Sequence, residues 1–191
     1  MHRRFLVLAA VLGALLVIAP AASAAPVKAK ASWGWYYGST TLDVDPGTLG
    51  ALTSLGVAPG AVAPAELDGA RYSFPISNRL RNALRTGVIR HTGGISLTAG
   101  STTVELTDFE IRLTEGLLYG EVDGAGPVAL LDLDISRAEI GFRSGRLSVG
   151  PVGTTLTQGA ADTLNEAFGV SALSDDTVVG DATVHYRIFP F

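Results

Sequence analysis

Few residues in this 191-residue chain are equipped for chemistry. It contains no cysteine and only three histidines. That removes disulfides, thiolate metal sites and a thiol nucleophile, and leaves few imidazole bases. His91 stands in GVIRHTGG and His185 in ATVHYRI. The Gly93-Gly94 pair interrupts the strand rhythm just beyond His91, so the expected position is a strand end with the ring partly exposed. The same reading applies to His185. Two D-x-D strings, Asp43 with Asp45 and Asp132 with Asp134, could share a cation, because residues two apart on a strand point the same way. Asp45 is better used as a helix cap. Asp132 and Asp134 alternate with Leu131, Leu133 and Ile135 as the wet face of a strand. Solvated faces are the expectation for both strings.

Catalytic signatures are missing. The sequence has no H-E-x-x-H, no phosphate-binding loop and no G-x-G-x-x-G after a strand,. The string nearest to a nucleophile elbow, Gly94 to Thr98, lacks the second glycine,. Glu105, Glu110, Glu115, Glu121 or Glu139 could join an aspartate in a hydrolase pair, but no spacing brings two carboxylates to the required separation. The densest aromatic feature is WGWYYG, with Trp33, Trp35, Tyr36 and Tyr37. Those side chains could cap a core, line an apolar pocket or meet the face of a planar ligand or sugar. Core capping is the first expectation.

The elements that must position these residues begin with the N-terminus. His2, Arg3 and Arg4 form a basic start, Phe5 to Ile18 an apolar run, and Ala22-Ser23-Ala24 an A-x-A box. This is the pattern of a cleaved signal peptide, too short for the roughly 20 residues of a membrane span. Cleavage after Ala24 leaves 167 residues, the length of one domain,. Loss of Arg3 and Arg4 moves the formal charge from −4 to −6, a poor match to nucleic acid or an anionic membrane.

Thr40 to Val44 alternate as a short strand. Asp45 as N-cap, Pro46 at the first helical position and Leu49, Leu52 and Leu55 at three-residue intervals predict a short helix. VAPGAVAPAELDG reads as loop. From Arg71 to Gly150, short alternating runs broken by glycine predict β structure. Val104 and Leu106 fall out of phase with Phe109, Ile111 and Leu113, so one strand can bury both sets only through a bulge near Thr107 or Asp108. In TLTQGAADTLNEAFG, Thr157 as N-cap, an apolar stripe through Ala160, Ala161, Leu164 and Phe168, and Gly169 at C′ predict a packed helix. TVVGDATVHYRI supplies a closing strand.

The order GGISLTAGSTTVELTDFEIRL, GLLYGEV, TTLTQGAADTLNEAFG resembles the haem-transport-associated (Htaa) domain of exported actinobacterial proteins. The resemblance covers roughly Gly87 to Val184. It implies a β-rich fold that binds haem through a tyrosine ligand with a histidine nearby. Trp33-Gly34 matches the family's Trp-Gly pair, with Tyr36 and Tyr37 following sooner than the family's tyrosine. No histidine stands at Thr98–Gly100, where the family's motif places one.

The expected protein is therefore a signal peptide over 1–24, an aromatic spacer over 25–38 and a single β-rich domain over 39–191. Its fold is an antiparallel sandwich or rolled sheet with one packed C-terminal helix and a short N-terminal helix. It is expected to be secreted or associated with the cell envelope, to be no integral membrane protein once processed, and to bind no nucleic acid. The expected role is non-enzymatic: binding of haem or another planar apolar ligand, with Trp33, Trp35, Tyr36, Tyr37 and His91 as candidates. A structural or adhesive module that meets a cell-envelope component is the alternative, and a hydrolase the third reading.

Overall fold

The computed structural model describes residues 36–122 and 126–188. The signal peptide, Trp33 and Trp35 lie outside them. In chain order the elements are β1 (Gly38–Val44), α1 (Pro46–Ser54), β2 (Val57–Val62), β3 (Glu66–Asp68), β4 (Arg71–Ile76), α2 (Leu80–Thr86), β5 (Val88–Arg90), β6 (Gly94–Ala99), β7 (Thr102–Arg112), β8 (Leu117–Val122), β9 (Gly126–Asp134), β10 (Glu139–Arg143), β11 (Arg146–Leu156), α3 (Gln158–Phe168) and β12 (Val178–Arg187).

All strands join one antiparallel sheet in the order β2-β6-β7-β8-β9-β11-β12-β1-β4-β3, with β10 beside β11 and β5 beside β7. This is the expected rolled sheet, carried nearly to a closed barrel. Closure comes where the end of β4 meets the chain after β5. Ile76 bridges His91, the Ser77 amide donates to the Arg90 carbonyl at 2.9 Å, and the Thr92 amide donates to Pro75 at 3.0 Å. The Asn78 side chain extends this pairing, donating to the Val88 carbonyl at 2.8 Å and accepting from the Arg90 amide at 3.0 Å.

The bulge lies where the phase argument puts it. On β7 the register against β8 shifts between Thr107 and Glu110, and Asp108 adopts φ +51°. Asp108 and Phe109 together oppose Gly120, so Val104, Leu106, Phe109 and Ile111 are all buried. Gly120 has no side chain because the Phe109 ring occupies that space; a Cβ there would lie 2.7 Å from the ring and 2.6 Å from Leu130.

Both helix caps follow the sequence. Asp45 accepts from the Gly47 and Thr48 amides ahead of α1, and Thr157 accepts from Ala160 ahead of α3, which ends at Gly169 in the left-handed region. Ala160, Ala161 and Leu164 of α3 are buried against the sheet, while Leu49, Leu52 and Leu55 of the α1 segment are half-buried on the same core.

Three expectations need correction. VAPGAVAPAELDG is not loop: Val57–Val62 pairs along β6, and Glu66–Asp68 pairs with β4. Pro59 is tolerated because β2 ends the sheet order and has no second neighbour to receive an amide bond,. A third helix, α2, interrupts the run read as wholly β, with Leu80 and Ala83 packed on the second core cluster. Leu113 lies past the end of β7 and is half exposed rather than buried with Phe109 and Ile111.

Candidate functional site

Strand alternation sends one side chain in two into the barrel, and the interior they build is not filled. A cavity of about 380 Å³ runs through it, within the range of about 300 to 1,000 Å³ typical of small-molecule sites. Its walls come from almost every element: Leu42 and Val44 of β1, Phe74 of β4, Leu106 and Phe109 of β7, Leu130 of β9, Val152 of β11 and Val184 of β12. Among the described residues, no carboxylate or arginine lines it.

The two ends differ. β1 runs from the α2 end toward α1, and β12 runs back. At the far end Leu49, Leu52, Leu55, Leu164 and Phe168 of the α1 and α3 segments cover the interior. At the near end α2 lays Leu80, Ala83 and Leu84 along the opening, yet Leu84 stays 71% exposed. Leu113 and Ile135 line the same opening and are also exposed. This end is an apolar mouth open to solvent.

His91 sits on the cavity wall between the two core clusters. Its position differs from expectation: it is 5% exposed, buried by the β4–β5 closure. Its Nδ1 lies 3.1 Å from the Phe109 carbonyl and its Nε2 2.7 Å from the Thr40 hydroxyl. A carbonyl can only accept, so Nδ1 carries the proton and Thr40 donates to Nε2. Burial lowers the His91 pKa to about 4, against a smaller raising effect of the Phe109 bond. The ring is therefore neutral at pH 7, with both nitrogens engaged.

The two phenols on the cavity wall are committed too. Tyr72 donates to the Gly60 carbonyl at 3.1 Å, and Tyr186 to Asn78 Oδ1 at 3.4 Å. Burial pushes both phenols well above their ordinary range, which disfavours phenolate. Tyr72 stacks on Phe74, whose ring meets Phe109 edge-on at 5.2 Å.

The remaining candidates lie elsewhere. Tyr36 and Tyr37 are half-buried, and neither lines the cavity. Tyr37 packs on the second core cluster near the mouth, with the Arg79 guanidinium 5.4 Å from its ring centroid. His185 is half-buried, its pKa lowered by burial first and Arg146 second. Asp43 pairs with Arg71 at 2.6 Å, and Asp132 and Asp134 are exposed. Glu110 and Glu115 pair with Arg90 and Arg112, and none of the five glutamates considered as hydrolase groups touches the cavity. Among the described residues no group of three or more His, Asp or Glu is placed to hold a metal, and no helix is long and apolar enough to cross a membrane. Sequence reading missed the cavity because each wall residue looks like core on its own. The one local clue was the Leu80, Ala83, Leu84 spacing of α2 beside its arginines,.

No known family profile matches the sequence, and no curated protein sequence is significantly similar to it. Solved structures do match the fold. The C-terminal domain of HtaA from Corynebacterium glutamicum superposes with a TM-score of 0.57 at 15% identity, covering 80% of this chain and 96% of that one. The N-terminal domain of HtaA from the same organism gives 0.55 at 11%, covering 81% and 99%. The heme binding protein HtaB of that organism gives 0.52 at 10%, covering 78% and 92%. Identities this low establish a shared fold. The chain has the Hta-like β architecture that its sequence order resembles.

Proposed function

We propose that this Hta-like domain is a non-catalytic binding protein that takes an apolar, planar small molecule of the porphyrin class into its barrel. The observation that carries the proposal is the uncharged cavity of about 380 Å³, closed by α1 and α3 at one end and open through an apolar mouth at the other. The fold shared with a protein described as heme binding supports the same class of ligand. A purely structural or adhesive module would gain nothing from an interior that forfeits packing contacts.

Haem itself divides into two fits. The walls of Leu, Val, Ile and Phe suit a macrocycle, and arginines near the mouth suit its carboxylates,. The iron finds no free donor on the described wall: both His91 nitrogens are bonded, and Tyr72 and Tyr186 are held as neutral phenols. Recognition then rests on shape and burial. His91 and Thr40 shape the wall at mid-barrel, and Leu80, Leu84, Leu113 and Ile135 guide the ligand at the mouth.

Titration with hemin and with iron-free protoporphyrin IX tests this directly. Both should bind saturably with similar affinity. Failure of both to bind at micromolar protein overturns the proposal. Tight hemin binding with the spectrum of an axially ligated iron, and none for the iron-free ring, would replace it with a metal-ligation mechanism.

A further inference from the structure

The net acidity of the chain conceals a separation of charge along the barrel. Ten arginines fall among the described residues. Arg71 and Arg137 pair with Asp43 and Asp181 toward the α1 end, and Arg90 and Arg112 pair with Glu110 and Glu115. The other six, Arg79, Arg81, Arg85, Arg143, Arg146 and Arg187, form no ion pair among the described residues, and all six lie at the α2 end.

They form one continuous belt. Arg143 opposes Arg146 across the tip of the β10–β11 hairpin, and Arg146 opposes Arg187 on β12. Like charges placed directly opposite on neighbouring strands cost stability unless an anion lies across them. The Arg187 amide donates to the Tyr37 carbonyl at 2.8 Å, and Arg79 lies over the Tyr37 ring. From there Tyr37, Arg79, Arg81, Asn82 and Arg85 line a shallow basin of about 470 Å³.

Apolar side chains project from the same end. Ile140 and Phe142 on β10 stand opposite Val149 and Leu147, so they share the face that β11 turns toward the cavity. Among the described strands β10 has no partner on its other side, and these two residues remain 78% and 64% exposed. With Leu84, Leu113 and Ile135 they make an apolar rim beside the arginine belt. Exposed apolar patches of this kind mark interaction surfaces.

We propose that the α2 end of the barrel docks on an anionic lipid bilayer, with Ile140 and Phe142 entering the acyl boundary and the six arginines on the headgroups. Charge complementarity selects this partner: each basic residue near an anionic bilayer contributes about 1 kcal/mol, and apolar residues between them add burial. Nucleic acid would use the arginines and leave Ile140 and Phe142 in water. Docked in this way, the mouth faces the bilayer, the phase in which an apolar ligand is most soluble. The inference stands apart from ligand binding, since the belt and hairpin tip could dock with the cavity empty.

The test is co-sedimentation of the chain freed of its first 24 residues, which retains every described residue. Vesicles of phosphatidylcholine alone are compared with vesicles of phosphatidylcholine and phosphatidylglycerol. Binding is expected only to the mixed vesicles and is expected to weaken as salt rises. Arg143→Gln with Arg146→Gln should lower the partition coefficient about thirty-fold, two charges at about 1 kcal/mol each, and Ile140→Ser with Phe142→Ser about tenfold or more. Arg143→Lys with Arg146→Lys should preserve binding. Equal binding to neutral vesicles, no binding to either, or a shift of a DNA duplex without vesicle binding would each overturn the proposal. The salt series on the unaltered chain decides it even if a variant misfolds. Porphyrin titration in vesicle-free solution reads the cavity separately, so either proposal can fail alone.

Discussion

The Thr40 hydroxyl lies 2.7 Å from Nε2 of His91, although 51 positions separate the two residues in the chain. β1 carries Thr40 into the interior between Gly38 and Leu42, and the β4–β5 closure brings His91 to meet it. Both are buried, so each polar atom depends on the other for satisfaction. Thr40→Val keeps the shape and strands Nε2 without a donor. The expected loss is about 1 to 3 kcal/mol, read as a lower midpoint in urea with an unchanged slope.

The same ring makes stability depend on pH. Its folded pKa, about 4, is depressed from 6.5 because burial disfavours the imidazolium. Between those values the unfolded chain binds a proton that the native chain does not. This contribution to stability is thus present above pH 6.5, is lost as pH falls toward 4, and amounts to about 3 kcal/mol. Urea midpoints at pH 7 and pH 4.5 should differ accordingly, and His91→Gln should remove most of the histidine-dependent part.

Deletion of Asp108 is expected to leave the native fold in place. The bulge absorbs this one extra residue and so keeps Phe109 and Ile111 in phase with Val104 and Leu106. Without it Phe109 follows Leu106 by two positions and alone opposes Gly120, and regular pleating holds both halves of β7 on the same face. Retained near-UV circular dichroism and a cooperative melt would report it, and loss of both would show that the bulge itself is required. Asp108→Gly should be tolerated, because glycine accepts φ near +51° at no steric cost,.

Gly94→Ala should destabilise by at least about 2 kcal/mol. A Cβ at this position would lie 2.1 Å from the Leu106 carbonyl oxygen, where neither strand can give way without breaking the β6–β7 pairing. Thermal unfolding of the purified variant measures the effect.

Leu84→Glu separates binding from folding. Leu84 is exposed at the mouth, so the change should leave the melting temperature within about 2 °C of the parent, the shift expected for a surface substitution of a few tenths of a kcal/mol. A carboxylate there meets the carboxylates of an arriving porphyrin and removes apolar contact, and affinity should fall about tenfold.

How much of this the sequence revealed depends on the range of the forces involved. The two caps at Asp45 and Thr157, the α3 stripe and the β7 bulge are written in residues within a few positions of one another, and all were readable. β2 was not, because Pro59 and Gly60 argue against a strand unless the strand is known to end a sheet. The α2 helix is hard to see because seven residues between two strands give a short pattern. The glycine neighbours of His91 point to a partly exposed ring, and no local signal shows that Ile76 closes over it. The aromatic cluster gives a partial guide: Tyr37 helps pack the mouth end, but the cavity is lined by aliphatic and aromatic residues drawn from elements far apart in the chain.

The barrel is joined along β4 and β5 by a seam of a few backbone bonds and the Asn78 amide, while pairs such as β1–β12 and β6–β7 are zipped over longer runs. A tube stitched this lightly on one side can part there and widen without unravelling the rest. The amides of Ser77, Arg90 and Thr92 should exchange with deuterium well before those of β1 and β12. A lodged guest should slow them, because girth fixed from within holds the seam shut.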